Sequence, residues 1–197
     1  MEFKPLYFDN KINIINPKGY VGIVTLWTKL EGSGGFREKL VSKAPMLFEK
    51  NSPLVTLTNL YGLGLPQMLA NLAHNPQVER IAVTGSNPFG GAEALINFFT
   101  SGIDIVDVNG VQMSRIRGTD CFIDAQLRPE LFANKPEIRL FKTSDLEGII
   151  NYITQPKTRS PNEDQRVKVE LKMPQFKDFP SDVLYHNVVA DTPTEAW

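Results

Sequence analysis

Between Ile81 and Gly102 the chain reads IAVTGSNPFGGAEALINFFTSG. An apolar run (Ile81–Thr84) enters a glycine-rich turn (Gly85, Gly90, Gly91). The turn enters a helical stretch with one apolar face (Leu95, Phe98, Phe99) and a glycine stop at Gly102. Strand, glycine turn and helix in this order are how open α/β sheets build a ligand crevice at the carboxyl ends of their strands. This feature predicts an α/β fold and points to a site, without naming a ligand.

Other segments extend the pattern. Tyr20–Trp27, Leu54–Thr58, Ile81–Thr84 and Ile138–Phe141 are near-continuous apolar runs, the signature of strands covered on both faces, as parallel strands are. Ile103–Val108 is a weaker fifth run. Helices are predicted between them over Gly35–Lys43, Leu65–His74, Gly91–Ser101 and Asp145–Thr154. Pro66 suits a first turn, and Asn75-Pro76 ends the second helix. Ser144 and Glu147 make a capping-box pattern for the fourth, whose Leu146, Ile149, Ile150 and Ile153 share one face. Alternating strands and helices predict a mostly parallel sheet covered by helices on both faces, over residues 1–155.

Composition bounds the function. A chain of 197 residues, 42% hydrophobic and 22% charged, can bury a core. A formal net charge of -1 gives no basic field for nucleic acid. No apolar run approaches a membrane span, and MEFKPLYFDNK lacks a signal-peptide core. One cysteine, Cys121, excludes an internal disulfide and suits the cytoplasm. It reads as a small buried hydrophobe, and its neighbours Asp120 and Asp124 oppose a thiolate. His74 and His186 are too far apart in sequence to make a metal spacing, so no metal site is expected. Asp104 and Asp107 lack a third ligand.

The candidate ligand-binding residues form three groups. Gly85, Ser86, Asn87, Gly90 and Gly91 make the turn before a helix N-terminus, where an anion is favoured, although Glu93 already answers that dipole. The alternative is a plain tight turn. Asn59, Tyr61, Gly62 and Gly64 follow the second strand, where glycines permit close approach and Tyr61 offers a stacking face. The alternative is a flexible loop. Arg115 and Arg117 suit a phosphate or carboxylate, or equally a surface pairing with Asp120, Asp124 or Glu130. No catalytic residue is assigned.

After residue 155 the composition changes. Residues 156–166 (PKTRSPNEDQR) read as an exposed linker. Val167–Met173 alternates strictly and predicts a half-exposed strand. Thr194–Trp197 reads as the first turn of a helix that four residues could not sustain. A further domain is therefore expected to begin over 167–197 and to be truncated.

Two resemblances follow from these residues. Asn59, Leu60, Gly62, Ala70, Asn71, Leu72, Asn75, Pro76, Val78, Gly85, Ser86, Leu95 and Gly102 fall in the order seen in the corrinoid-carrying component of tetrahydromethanopterin S-methyltransferase, which the chain resembles over 20–119. That resemblance implies a Rossmann-like fold. It does not carry over a corrinoid, because the turn after Gly85-Ser86 has no histidine. Secondly, Thr192, Glu195, Ala196 and Trp197 are similar to the entry into the catalytic domain of thymidylate synthases and pyrimidine hydroxymethylases, including phage and archaeal forms with an α/β domain in front. This implies the N-terminal, accessory or ligand-binding part of an enzyme moving a one-carbon unit from a folate or tetrahydropterin to a pyrimidine nucleoside monophosphate. Such an enzyme is expected to be a homodimer through the missing domain. Cys121 has no Pro or His beside it, so the chain alone is expected to be inactive. Two alternatives stand beside this: a free-standing Rossmann-like binding module for a nucleotide, pterin or corrinoid, and a structural domain without ligand.

Overall fold

The computed structural model describes residues 1–61 and 64–172. The strands are β1 (Asn13–Ile14), β2 (Val21–Val24), β3 (Leu54–Thr58), β4 (Arg80–Thr84), β5 (Ile103–Val108), β6 (Val111–Ile116), β7 (Phe122–Asp124) and β8 (Glu137–Phe141). The helices are α1 (Phe36–Lys43), α2 (Leu65–His74), α3 (Gly91–Thr100) and α4 (Leu146–Ile153). They build two sheets, one in the order β1-β3-β2-β4-β8 and one in the order β5-β6-β7.

The expected Rossmann-like, mostly parallel sheet is corrected by this arrangement. In the larger sheet β2 pairs parallel with β3 and β4, and β4 with β8, but β1 closes the edge antiparallel to β3. The second sheet is antiparallel throughout and is inserted between α3 and β8. Its origin is a hairpin at Asn109-Gly110, where both residues take positive φ (53° and 82°). A two-residue turn of that hand matches the twist of antiparallel strands and sends the chain straight back. Ile103–Val108 thus pairs with the strand that follows it, not with the parallel set. The fold is mixed α/β.

The predicted helices form with small shifts. In α4 the cap is Asp145, whose carboxylate accepts from the Gly148 N–H at 3.0 Å, and not Ser144. β2 stops at Val24, short of Trp27, because Leu26 turns to a φ of +45°. One core lies between the larger sheet, α2, α3 and the second sheet, with Val24, Leu69, Leu95, Phe98 and Ile116 buried in it. The other lies on the opposite face, where Val21, Ile23 and Leu57 meet Leu40 of α1 and Ile149 and Tyr152 of α4. Burying a Leu or Ile side chain of this kind contributes roughly 1.5–3 kcal/mol.

Two irregular segments wrap this frame. The N-terminal arm lies on α2, where Asn71 and the C-cap residue Asn75 sit one turn apart. Asn71 Oδ1 accepts from the Leu6 and Tyr7 N–H groups (2.7 and 3.0 Å), and its Nδ2 donates to the Tyr7 carbonyl. Asn75 exchanges two bonds with the Lys4 backbone. These side chains satisfy an arm that has no strand partner there.

Residues 155–172 form the second wrap. The segment expected to be a linker is exposed along most of its length, yet it is tied down. Buried Glu79 accepts from Thr158 N, Thr158 Oγ1 and Arg159 N at 2.7–2.9 Å. Buried Arg80 donates to the Gln155 carbonyl and side chain. The Arg166 guanidinium donates to the His74 and Glu2 carbonyls and pairs with Glu163. Residues 167–172 belong to neither sheet, contrary to the strand expected from their alternation. Their backbone is held instead by side chains: Tyr7 Oη donates to the Val169 carbonyl and accepts from Leu171 N, and Asp124 accepts from Lys172 N. Met173 and the entry segment Thr192–Trp197 lie outside the described residues.

The hydrogen bond from Arg166, reinforced by its charge and that of Lys4, lowers the Glu163 carboxyl from its usual 4.5 to about 2. A depressed carboxylate stabilises the fold fully above its unfolded value, and the contribution is lost as pH falls through the folded one. An NMR titration is therefore expected to place Glu163 near pH 2. Arg166→Ala is expected to return it to the ordinary carboxylate range; an unchanged titration in that variant would contradict the pairing.

Candidate functional site

The chain runs from β2 to β3 on one side, then passes back over β2 to β4. This reversal at the carboxyl ends of β2 and β4 is where an open α/β sheet commonly holds a ligand. Here the protein's own groups stitch that point together. Ser86 N donates to Thr28 Oγ1 at 2.9 Å, and Trp27 N donates to the Ser86 carbonyl at 3.1 Å. Gly85 lies against the Thr25 carbonyl at a φ of +107°. Asn87 caps α3 by accepting from Ala92 N at 3.1 Å, and its Nδ2 donates to Glu93. The positive end of that helix therefore already faces a carboxylate of its own first turn. Gly90 is left-handed (φ 68°), and Gly91 lies near Leu26 and Leu60.

Asn59 is the second stitch. Its Nδ2 is 2.7 Å from Thr25 Oγ1, 2.9 Å from the Leu26 carbonyl and 2.9 Å from the Thr28 carbonyl. Three acceptors share two hydrogens, and the arrangement fixes the strained turn at Leu26. Above it, Trp27 meets Tyr61 and Phe89 edge to face, with ring centroids 5.0 and 5.2 Å apart. Tyr61 and the glycine turn are thus brought together through Trp27. Burial raises the Tyr61 phenol above its usual value, so it stays a neutral donor.

The open volume lies beside this cluster, under α2. A cavity of about 690 Å³ sits between the larger sheet, α2 and the N-terminal arm. Its floor is Gly22 and Val24 of β2, Thr56 and Thr58 of β3 and Ile81 of β4; its roof is Gln67, Met68, Asn71 and Leu72 of α2. Phe3, Phe8 and Ile12 of the arm close one side. Gly22 pairs in register with Thr56 and Ile81, and its missing side chain leaves the floor open. Lys11 is the one charged residue on the wall among the described residues.

Of the residues expected from sequence, Asn59, Tyr61 and Gly64 line the cavity. Gly85, Ser86, Asn87, Gly90 and Gly91 do not, and Gly62 lies outside the described residues. Arg115 lies in β6 of the second sheet, and Arg117 stands in the turn just after it. Arg115 pairs with Asp120 at 3.5 Å and Arg117 with Asp104 at 2.7 Å. Arg117 also meets Asn97 near the end of α3, so a ten-residue helix, about 15 Å, separates it from the glycine turn. Cys121 packs against the core, and burial pushes its thiol up, away from a reactive thiolate. Among the described residues no group of three or more His, Cys, Asp and Glu could hold a metal ion, and no helix is long and apolar enough to cross a membrane.

Sequence reasoning did not mark Gly22, Thr56, Gln67 or Asn71 as site residues, although Asn71 is among the positions that carry the first resemblance. The signals were there: a glycine within a strand, and Gln67, Asn71 and the C-cap residue Asn75 at helical spacing along the mostly apolar α2. Comparisons with known proteins add no label, since the chain matches no family model, no curated protein and no solved structure.

Proposed function

We propose that this chain is a small-molecule-binding module whose ligand occupies the cavity under α2. The cavity itself supports this reading: its volume falls in the range of sites that enclose most of a nucleoside- or pterin-sized ligand. An apolar wall with a few polar groups supplies affinity and orientation. The module carries no assigned catalytic residue. An accessory role beside a one-carbon transferase rests on Thr192, Glu195, Ala196 and Trp197, outside the described residues, and the cavity reading does not depend on it. The lone cysteine suits a reducing compartment, the cytoplasm.

The test is a thermal-melting panel on the full chain with a reduced pterin, deoxyuridine monophosphate and the uncharged ring 1-naphthol. A ligand at 100 times its Kd is expected to stabilise by about 2.7 kcal/mol, a shift of roughly 5–10 °C for a chain of this size. Thr58→Phe, which narrows the floor, is expected to remove the shift. No shift with any probe would overturn the reading.

A further inference from the structure

We infer that the cavity reads its ligand through one polar point on its floor, the Thr56 hydroxyl bordering the space that Gly22 leaves, and that it takes an apolar body whose inner end carries a hydroxyl or carbonyl oxygen. This rests on the cavity being the ligand site.

The placement begins in the strand register. β2 and β3 run parallel, with Val21 opposite Leu54 and Gly22 opposite Thr56, so β3 carries one residue more. Val55 is passed over, and Thr56 takes the place beside Gly22. A bulge of this kind re-aims the side chains next to it, and bulges gather beside functional sites. Both residues line the cavity floor. A Cβ added at Gly22 would meet one atom within 4 Å among the described residues, the Thr56 Oγ1 at 3.2 Å. The glycine therefore leaves open space, and the hydroxyl oxygen borders it.

That hydroxyl is unspent. Thr56 is only 8% exposed, and its Oγ1 makes no hydrogen bond among the described residues. Thr58, the next floor residue on β3, differs: its hydroxyl donates to the Asn59 carbonyl at 3.3 Å. Gln67 Oε1 on the roof differs in the other sense, being sealed even from the cavity, whereas the Thr56 oxygen is not. Buried polar groups are otherwise paired with few exceptions, and an unpaired hydroxyl in an apolar site carries a cost that a ligand oxygen removes. A hydroxyl both donates and accepts, so a ligand hydroxyl or carbonyl satisfies it. Val24 and Ile81 are the apolar floor around the pair, and an apolar body is what brings the oxygen there.

The test compares 1-naphthol with 1-methylnaphthalene, in which a methyl replaces the hydroxyl, on the full chain at neutral pH. Neither probe is charged there, so the comparison does not turn on Lys11 of the arm. Binding is followed by naphthalene fluorescence, and the readout is the affinity for 1-naphthol divided by that for 1-methylnaphthalene. In Thr56→Val that ratio is expected to fall roughly threefold to tenfold, the effect of one neutral hydrogen bond. Thr56→Ser is expected to keep it, and Thr58→Val to leave it unchanged. Because the Thr56 hydroxyl holds no bond in the free protein, Thr56→Val is expected to melt no lower than the parent, which separates recognition from folding. A ratio that Thr56→Val leaves alone, or that Thr58→Val lowers as much, would overturn the inference while the cavity reading stands. Failure of both probes to bind the parent chain would overturn it too. With the pterin and deoxyuridine monophosphate also silent, the cavity reading would go with it.

Discussion

Alanine at Gly85 is expected to destabilise the protein by more than ~4 kcal/mol, the range reached only by a severe steric or strain defect. Two effects combine there. The backbone φ of +107° is one that side-chain-bearing residues rarely adopt. The added Cβ would also overlap the Thr25 carbonyl oxygen and lie 2.6 Å from Thr28 Oγ1. The Thr25 oxygen cannot retreat freely, because it accepts from Thr28 N at 3.0 Å while Thr25 N donates to the Thr58 carbonyl. Relief would require separating the loops after β2 and β4. Gly110 serves as the control. Its φ of +82° is comparable, but nothing lies within 4 Å of its added Cβ. Gly110→Ala is expected to cost only the left-handed penalty of about 1–2 kcal/mol. Urea denaturation of both variants measures the difference, and equal losses would show that the close approach at Gly85 carries no weight.

The same contrast explains what was legible in the chain. α2 was readable because Pro66 sits in its first turn and Leu65, Leu69 and Leu72 recur on one face. β3 and β4 were readable because strands covered on both faces are nearly pure apolar runs. The second sheet was not, although Asn109-Gly110 is a strong hairpin signal, because Asp104 and Asp107 made Ile103–Val108 look like a weak member of the parallel set. The wrap at 155–172 has few apolar anchors to betray it. What holds its first part is Glu79 and Arg80, two charged residues just where β4 begins, and most of their partners are backbone groups that no side-chain pattern records. The glycine turn at 85–91 announced a ligand crevice; in the folded chain it works as a fastening. That outcome depends on Thr28 and Asn59, each some 30 residues or more away along the chain from a group it binds. The cavity was illegible for a related reason, since one of its walls is the N-terminal arm, whose docking is decided by two asparagines on α2.

Those asparagines carry the second large effect. Asn71→Ala is expected to cost about 2–4 kcal/mol, since each buried backbone group left unpaired costs about 1–3 kcal/mol and water recovers part of it. The residue is 5% exposed, so little solvent stands ready to replace it. Its removal strands Leu6 N, Tyr7 N and the Tyr7 carbonyl at once. The loss does not end there. Tyr7 Oη holds Val169 and Leu171, so an arm released from α2 also loosens the wrap on its far side. Hydrogen exchange is expected to show this as faster exchange at Leu6, Tyr7 and Leu171 together, while the Ile81–Val83 amides in the central strand keep their ranking. Asn71→Asp is the informative companion. It retains the acceptor for both N–H groups but sets a carboxylate oxygen against the Tyr7 carbonyl, so its loss is expected to shrink as pH falls and the acid becomes a donor. Uniform exchange across arm and sheet in Asn71→Ala would mean that the arm unfolds only with the whole protein. In that case the cavity could not open through the arm, and any ligand would have to enter from the side of Asn59 and Gly64.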